Sequence, residues 1–246
     1  MVDNITKNIK KLVEENEKSS SYEKIVPSIV KKGIDNVNLG MFDENTRDGL
    51  LNAAGDEFFK RGDFVQAVKA YLLTKNIDKL NSIGDEYSGR EQFKEAIEVY
   101  NLAYNFSRDK SKLITCGEKC LLESHLTDAL RAFAILKDEQ RLIKLGEVCL
   151  EKEKVDVAIE VFAILNHSDK LIKLGDKCLN ENRYGYAARA YELAGNKDKL
   201  SYLGDVLLKS GLLGSAFRIY ELADNKMMVQ FIKENFSEEQ LGKFYA

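Results

Sequence analysis

Apolar residues recur along this chain at helical spacing, and from Arg47 onward they recur in register. A leucine stands four residues before a glycine in six successive blocks: Leu51, Leu80, Leu113, Leu142, Leu171 and Leu200 precede Gly55, Gly84, Gly117, Gly146, Gly175 and Gly204. Ala54, Ile83, Cys116, Leu145, Leu174 and Leu203 come one residue before each glycine, and Phe58, Tyr87, Cys120, Cys149, Cys178 and Leu207 three after it. These positions share one face of a helix. Twelve residues after each glycine stands an alanine (Ala67, Ala96, Ala129, Ala158, Ala187, Ala216), and four further on an aromatic (Tyr71, Tyr100, Phe133, Phe162, Tyr191, Tyr220). The glycines are separated by 29, 33, 29, 29 and 29 residues. Each block therefore holds two helices and is one unit of an array, which buries its apolar faces by stacking on its neighbours.

The pattern predicts first helices near 47–60, 78–88, 110–122, 140–152, 169–181 and 198–209. Second helices fall near 64–74, 93–106, 126–136, 155–165, 184–194 and 213–223. Turn residues fall between them, as at Arg61-Gly62-Asp63, Ser88-Gly89-Arg90, Asn180-Glu-Asn182 and Gly195-Asn-Lys-Asp198. A mid-helix glycine costs about 1 kcal/mol relative to alanine, so six in register need a cause. Close approach of the paired helix, small glycine against small alanine with the aromatic filling the space beyond, is the expected one. Outside the array, Val2, Ile5, Ile9, Leu12 and Val13 form a narrow helical stripe, and Tyr22 to Lys32 reads as a short helix before Gly33. Residues 34–45 have no period and read as a linker. Val229 to Lys233 begins like another first helix with Lys233 in the glycine position, and Ser237-Glu-Glu-Gln240 reads as a capping box. The expected organisation is an N-terminal helical cap and linker over 1–46, six helix pairs over 47–226 and capping helices over 227–246.

Composition narrows the class. The 246 residues are 44% hydrophobic and 31% charged, with one proline and no tryptophan, a profile of a folded helical protein. Lys and Arg total 37 against 40 Asp and Glu, so nothing prepares a surface for a phosphate backbone, and nucleic acid is not an expected partner. No apolar run reaches the length of a membrane span, and the start of the chain lacks the apolar core of a secretory signal; a cytoplasmic protein is expected. Cys120, Cys149 and Cys178 occupy equivalent repeat positions. Stacked helix pairs set such residues about 10 Å apart, beyond the roughly 7 Å Cα separation that a disulfide tolerates. They read as small buried apolar residues. Cys116 and Cys120 share a helix face without a further His or Cys pair to complete a metal site.

The leucine, glycine, alanine and aromatic offsets resemble the tetratricopeptide repeat, W-x2-L-G-x2-Y followed by A-x3-F and P over about 34 residues. The likeness covers six units from residue 51 to about 223. Leucine stands in place of the tryptophan, the closing proline is missing, and the units are shortened to 29 residues. The short hairpins are also similar to those in solenoid arms of vesicle-coat and transport subunits. The resemblance implies an all-α fold, an α-solenoid (right-handed superhelix) of antiparallel helix pairs, and a function in protein–protein interaction as a scaffold or adaptor, without a cofactor.

In such a solenoid the first helices line a concave groove. The residue just after the glycine is acidic in every unit: Asp56, Asp85, Glu118, Glu147, Asp176 and Asp205. Ile114, Ile143 and Ile172 flank this column on one side and Leu121, Leu150 and Leu179 on the other. An acidic column between apolar rows suits a basic amphipathic helix or a Lys/Arg-containing peptide. The other reading is that each acid is solvated or pairs locally, as Lys144 with Glu147 and Lys173 with Asp176 at i, i+3. The same column argues against the family's carboxylate clamp, which needs asparagine there. An enzyme is not expected. His125 and His167 fall at unrelated repeat positions, no P-loop, dinucleotide fingerprint or nucleophile elbow occurs, and the repeated acids offer no distinct acid and base environments. A subunit buried in a larger coat or transport assembly is the alternative to a free adaptor.

Overall fold

The computed structural model describes residue 22 and residues 24–236; the N-terminal stripe over 1–18 and the capping box at 237–240 lie outside the described residues. Every regular element among them is helical. The chain divides into two compact units at Cys120 and Leu121. The first holds α1 (24–32), a 3-10 turn (Ile34–Asn36), α2 (Glu44–Lys60), α3 (Phe64–Leu73), α4 (Ile77–Gly89), α5 (Phe93–Ser107) and most of α6 (Ser111–Leu122). The second holds α7 (Leu126–Leu136), α8 (Glu139–Glu151), α9 (Val155–Ile164), α10 (Ser168–Asn180), α11 (Tyr184–Leu193), α12 (Lys197–Lys209), α13 (Leu213–Leu222) and α14 (Lys226–Asn235). No helix among the described residues is long and apolar enough to cross a membrane.

Within each unit consecutive helices pack as hairpins: α2 with α3 and α4 with α5, then α8 with α9, α10 with α11 and α12 with α13. Within each unit one hairpin packs on the next, the arrangement of an α-solenoid of helix pairs. Second helices also meet directly, α7 with α9 and α9 with α11, whereas the first helices α8 and α10 approach less closely.

The 29-residue period has a local cause. A first helix of 13 residues and a second of 10 are joined by three-residue turns whose middle residue is left-handed. That residue lies seven after the repeat glycine at Gly62, Glu91, Ser124, Glu153, Asn182 and Gly211, and recurs after the second helix at Lys75, Lys137, Asn166, Gly195 and Asp224. The next backbone N–H closes each turn on the helix it ends: Lys154 donates to the Cys149 carbonyl and Arg183 to that of Cys178, both at 2.8 Å, and His167 donates to Phe162 at 2.9 Å. This is the Schellman closure. Asp138, Asn196 and Asn225 then cap the following first helix by accepting from the N–H three residues on. The longer unit owes its extra residues to α5, which runs 15 residues.

Two expectations change. The ring of the aromatic, not the alanine, lies on the repeat glycine: a Cβ on Gly55, Gly84, Gly146, Gly175 or Gly204 would come within 2.6, 2.4, 2.8, 2.5 or 2.6 Å of a ring carbon of Tyr71, Tyr100, Phe162, Tyr191 or Tyr220. The missing side chain is the seat of the ring. Residues 34–45 are also more than a linker. Ile34 and Leu39 are buried with Leu50, Ala54, Phe58 and Ala70, the Ile34 N–H donates to the Gln66 side chain at 2.9 Å, and Asp35 pairs with Lys69. This segment packs on α3 without a period because it repeats nothing. At the other end Lys233, in the glycine position of α14, lies 5.6 Å from the Phe217 ring centroid.

Candidate functional site

Each first helix carries its repeat acid one residue beyond the glycine, which in the four tyrosine units places the carboxylate at the hydroxyl end of the ring seated there. Tyr71 donates to Asp56 at 2.7 Å, Tyr100 to Asp85 at 2.7 Å, Tyr191 to Asp176 at 2.7 Å and Tyr220 to Asp205 at 2.6 Å. A lysine from the following first helix completes three of these: Lys79 on Asp56 at 2.6 Å, Lys112 on Asp85 at 2.7 Å and Lys199 on Asp176 at 2.7 Å. At Asp205 the corresponding position is Met228. The acid thus joins its own hairpin to the next through a hydroxyl and an ammonium, both charge-assisted bonds. The i, i+3 pairing of Lys173 with Asp176 does not form, because Tyr191 and Lys199 occupy that carboxylate.

The sequence held a signal for this lock. Five residues before each glycine from the second unit to the sixth the chain is basic (Lys79, Lys112, Arg141, Lys170, Lys199), and the acid is Asp wherever the aromatic is Tyr and Glu wherever it is Phe. Only the short aspartate matches a tyrosine hydroxyl.

The lock makes stability pH-dependent at both ends. Burial works to raise the Asp176 pKa, but the bonds from Lys199 and Tyr191 and the Lys199 charge outweigh it, so the carboxyl sits below its usual range. The resulting stabilisation is present above the unfolded value of about 3.9 and is lost as pH falls through the depressed folded value. Burial, then the neighbouring carboxylate, holds the Tyr191 and Tyr220 hydroxyls well above their ordinary value. That contribution is full below about pH 10 and is lost as pH rises beyond it. A Tyr191→Phe/Tyr220→Phe variant is expected to melt slightly below wild type at neutral pH and to decline less steeply above about pH 10. Thermal melts across that range check this, and parallel alkaline slopes would count against the lock.

The residues expected to flank the acids lie as follows. Asp85 is exposed on α4, Glu118 on α6, Glu147 on α8 and Asp205 on α12, while Asp176 is half-buried on α10. Ile114 and Leu121 on α6, Ile143 on α8, and Ile172 and Leu179 on α10 are half-buried; Leu150 on α8 is 37% exposed. Of these, Glu147 and Leu150 come together in one cleft of about 390 Å³ in the second unit. Phe162 of α9 and Lys170, Lys173, Leu174 and Lys177 of α10 complete its wall. Asp85 lines a cleft of about 430 Å³ in the first unit with Tyr100, Lys112, Cys116 and Lys119. The sequence marks none of these lysines as a lining residue: Lys170 belongs to the basic row five residues before the glycine, and Lys173 and Lys177 are exposed positions of α10. Among the described residues no three His, Cys, Asp or Glu side chains converge as a metal-ligand set.

Compared with known proteins, the chain matches no family model and no curated relative.

Proposed function

We propose that this chain is a non-enzymatic, cytoplasmic scaffold or adaptor of tetratricopeptide-like hairpins that binds a protein or peptide along the face of its first helices. The observation that carries the reading is the cleft between α8 and α10, where Leu150 is exposed beside charged groups and the buried Phe162 and Leu174 form the apolar floor. Cores bury a leucine; binding surfaces leave one open with a polar rim. Cys149 and Cys178 are free and buried, which suits a reducing compartment.

A second reading, a subunit held in a larger assembly, is favoured by a different row. Ile164, Leu193 and Leu222 recur at the ends of α9, α11 and α13, each nearly half exposed, and put an apolar residue at the same position of three successive second helices. Affinity purification with mass spectrometry separates the two. An adaptor captures a partner that Leu150→Asp releases while the melt is unchanged. An assembly subunit co-purifies with stoichiometric partners that Leu150→Asp retains and Leu193→Asp with Leu222→Asp releases. Capture of no partner by the wild type would refute both.

A further inference from the structure

The clefts in the two units occupy the same place in the repeat, and their chemistry differs. In the first unit the wall between α4 and α6 is the more polar of the two and its charges are used. Lys112 is bonded to Asp85, Asp85 also accepts from Tyr100, and Lys119 donates to the Ser88 carbonyl at 2.9 Å while lying 5.1 Å from the Phe93 ring centroid.

At the equivalent positions between α8 and α10, every change loosens that closure. Phe162 replaces the tyrosine and has no hydroxyl to give. Glu147 replaces the aspartate and makes no hydrogen bond or ion pair among the described residues. Lys170, the counterpart of Lys112, rests 5.2 Å from the Phe162 ring centroid and meets no carboxylate. Leu150 and Leu174 replace Ser88 and Cys116, and Lys173, which replaces Thr115, has no partner among the described residues. Lys177 alone leans toward an acid, Glu181, at 3.9 Å. The lock is open here, and the space it would close is lined with hydrocarbon.

We infer that this cleft is a docking site for an acidic, apolar-containing peptide segment: a carboxylate side chain pairs with Lys170 and Lys173, and a neighbouring large apolar side chain fills the space between Leu150, Phe162 and Leu174. The proposal rests on the interaction reading above and gives its partner a chemistry. With Lys177 leaning on Glu181, Lys170, Lys173 and Lys177 still outnumber Glu147 and Glu181, and the positive excess repels a Lys/Arg-rich segment and attracts an acidic one. The acids that the repeat pattern offers to a basic partner are, at Asp56, Asp85, Asp176 and Asp205, already bonded within the chain. An aliphatic or aromatic anchor beside a charge pair is the usual division of labour in a small recognition cleft.

The test is fluorescence anisotropy of the full chain titrated into three labelled synthetic peptides: one alternating Asp or Glu with Leu and Phe, one with Lys in place of the acids, and one with Ala in place of the apolar residues. The expected result is binding of the first alone, weakened by salt, and weakened about tenfold by Lys173→Glu. Lys173 is exposed, so that variant keeps its melt. Lys170→Glu/Lys173→Glu abolishes the binding. Preference for the Lys peptide, or acidic-peptide binding indifferent to Lys173→Glu, overturns the assignment. Capture of a cellular partner through Leu150 without binding of the acidic peptide overturns the partner chemistry and leaves the interaction reading standing. Failure of both capture and peptide binding removes both.

Discussion

An Ala158→Arg variant is expected to lose the cooperative unfolding of the second unit. Ala158 is fully buried in α9, with Val157, Ile159, Val161 and Phe162 buried around it, and second helices pack there on both sides, against α7 and α11. An arginine must either force these helices apart or leave a guanidinium unpaired among aliphatic groups. Overpacking alone costs about 1–3 kcal/mol, and a buried charge without a partner several more. Together these approach the whole stability of a domain, about 5–15 kcal/mol. Circular dichroism should show lost helix at room temperature, or a melt lowered by tens of degrees if the hairpins splay. The same arginine at Leu193, 46% exposed at the end of α11, should leave the melt within a few degrees. Equal melts for the two variants would refute the packing assigned to the alanine column.

What the sequence made legible follows from what repeats. Leucine, glycine, alanine and aromatic recur in register, so the helices of the array could be placed to within a few residues; α10 was expected near 169–181 and spans Ser168–Asn180. Residues that touch within a hairpin were less legible, because spacing states which side chains share a face and not which atoms meet. The ring of Tyr191, rather than the methyl of Ala187, fills the hollow at Gly175. Partners from the next hairpin were missed in the same way: Lys199 lies 23 residues from Asp176, whereas a pairing argument based on a single helix considers only three or four. The segment around Ile34 and Leu39 was illegible for the opposite reason. It occurs once, so no periodicity marks its buried residues, and its contact with Gln66 is made by a backbone N–H that composition does not reveal.

The lock and the open cleft are two states of one repeat position. Where tyrosine and aspartate occur together with a lysine on the next first helix, at Asp56, Asp85 and Asp176, successive first helices are tied across their gap; where phenylalanine and glutamate occur together at Phe162 and Glu147, the tie to Lys170 is absent. A single hydroxyl and a single methylene therefore separate a structural joint from a candidate binding surface. The difference costs the fold little, since Phe162 still covers Gly146 as Tyr191 covers Gly175. Stacking and closure use different parts of the same side chain, the ring edge for packing and the para position for closing the gap.

Gly175→Ala sets two physical effects against each other, and its sign identifies which one the fold obeys. Alanine gains about 1 kcal/mol of helix propensity over glycine. The new Cβ, however, would lie 2.5 Å from one carbon of the Tyr191 ring and 2.8 Å from the next. That ring is fully buried, and its hydroxyl is held at 2.7 Å by Asp176, the residue adjoining the glycine, so it cannot withdraw without breaking its own bond. Overpacking of about 1–3 kcal/mol, together with a loosened lock, outweighs the propensity, and a net loss of about 1–2 kcal/mol is expected. Gly146→Ala should lose less, because the approach there is 2.8 Å and Phe162 has no hydroxyl to tether it. Gly185→Ala, where an added Cβ meets nothing within 4 Å, should gain a few tenths of a kcal/mol, roughly what propensity allows near a helix start. Denaturant midpoints should therefore fall in the order Gly185→Ala, wild type, Gly146→Ala, Gly175→Ala. A Gly175→Ala protein more stable than wild type would mean that the ring is free to move and that the glycine column has another cause.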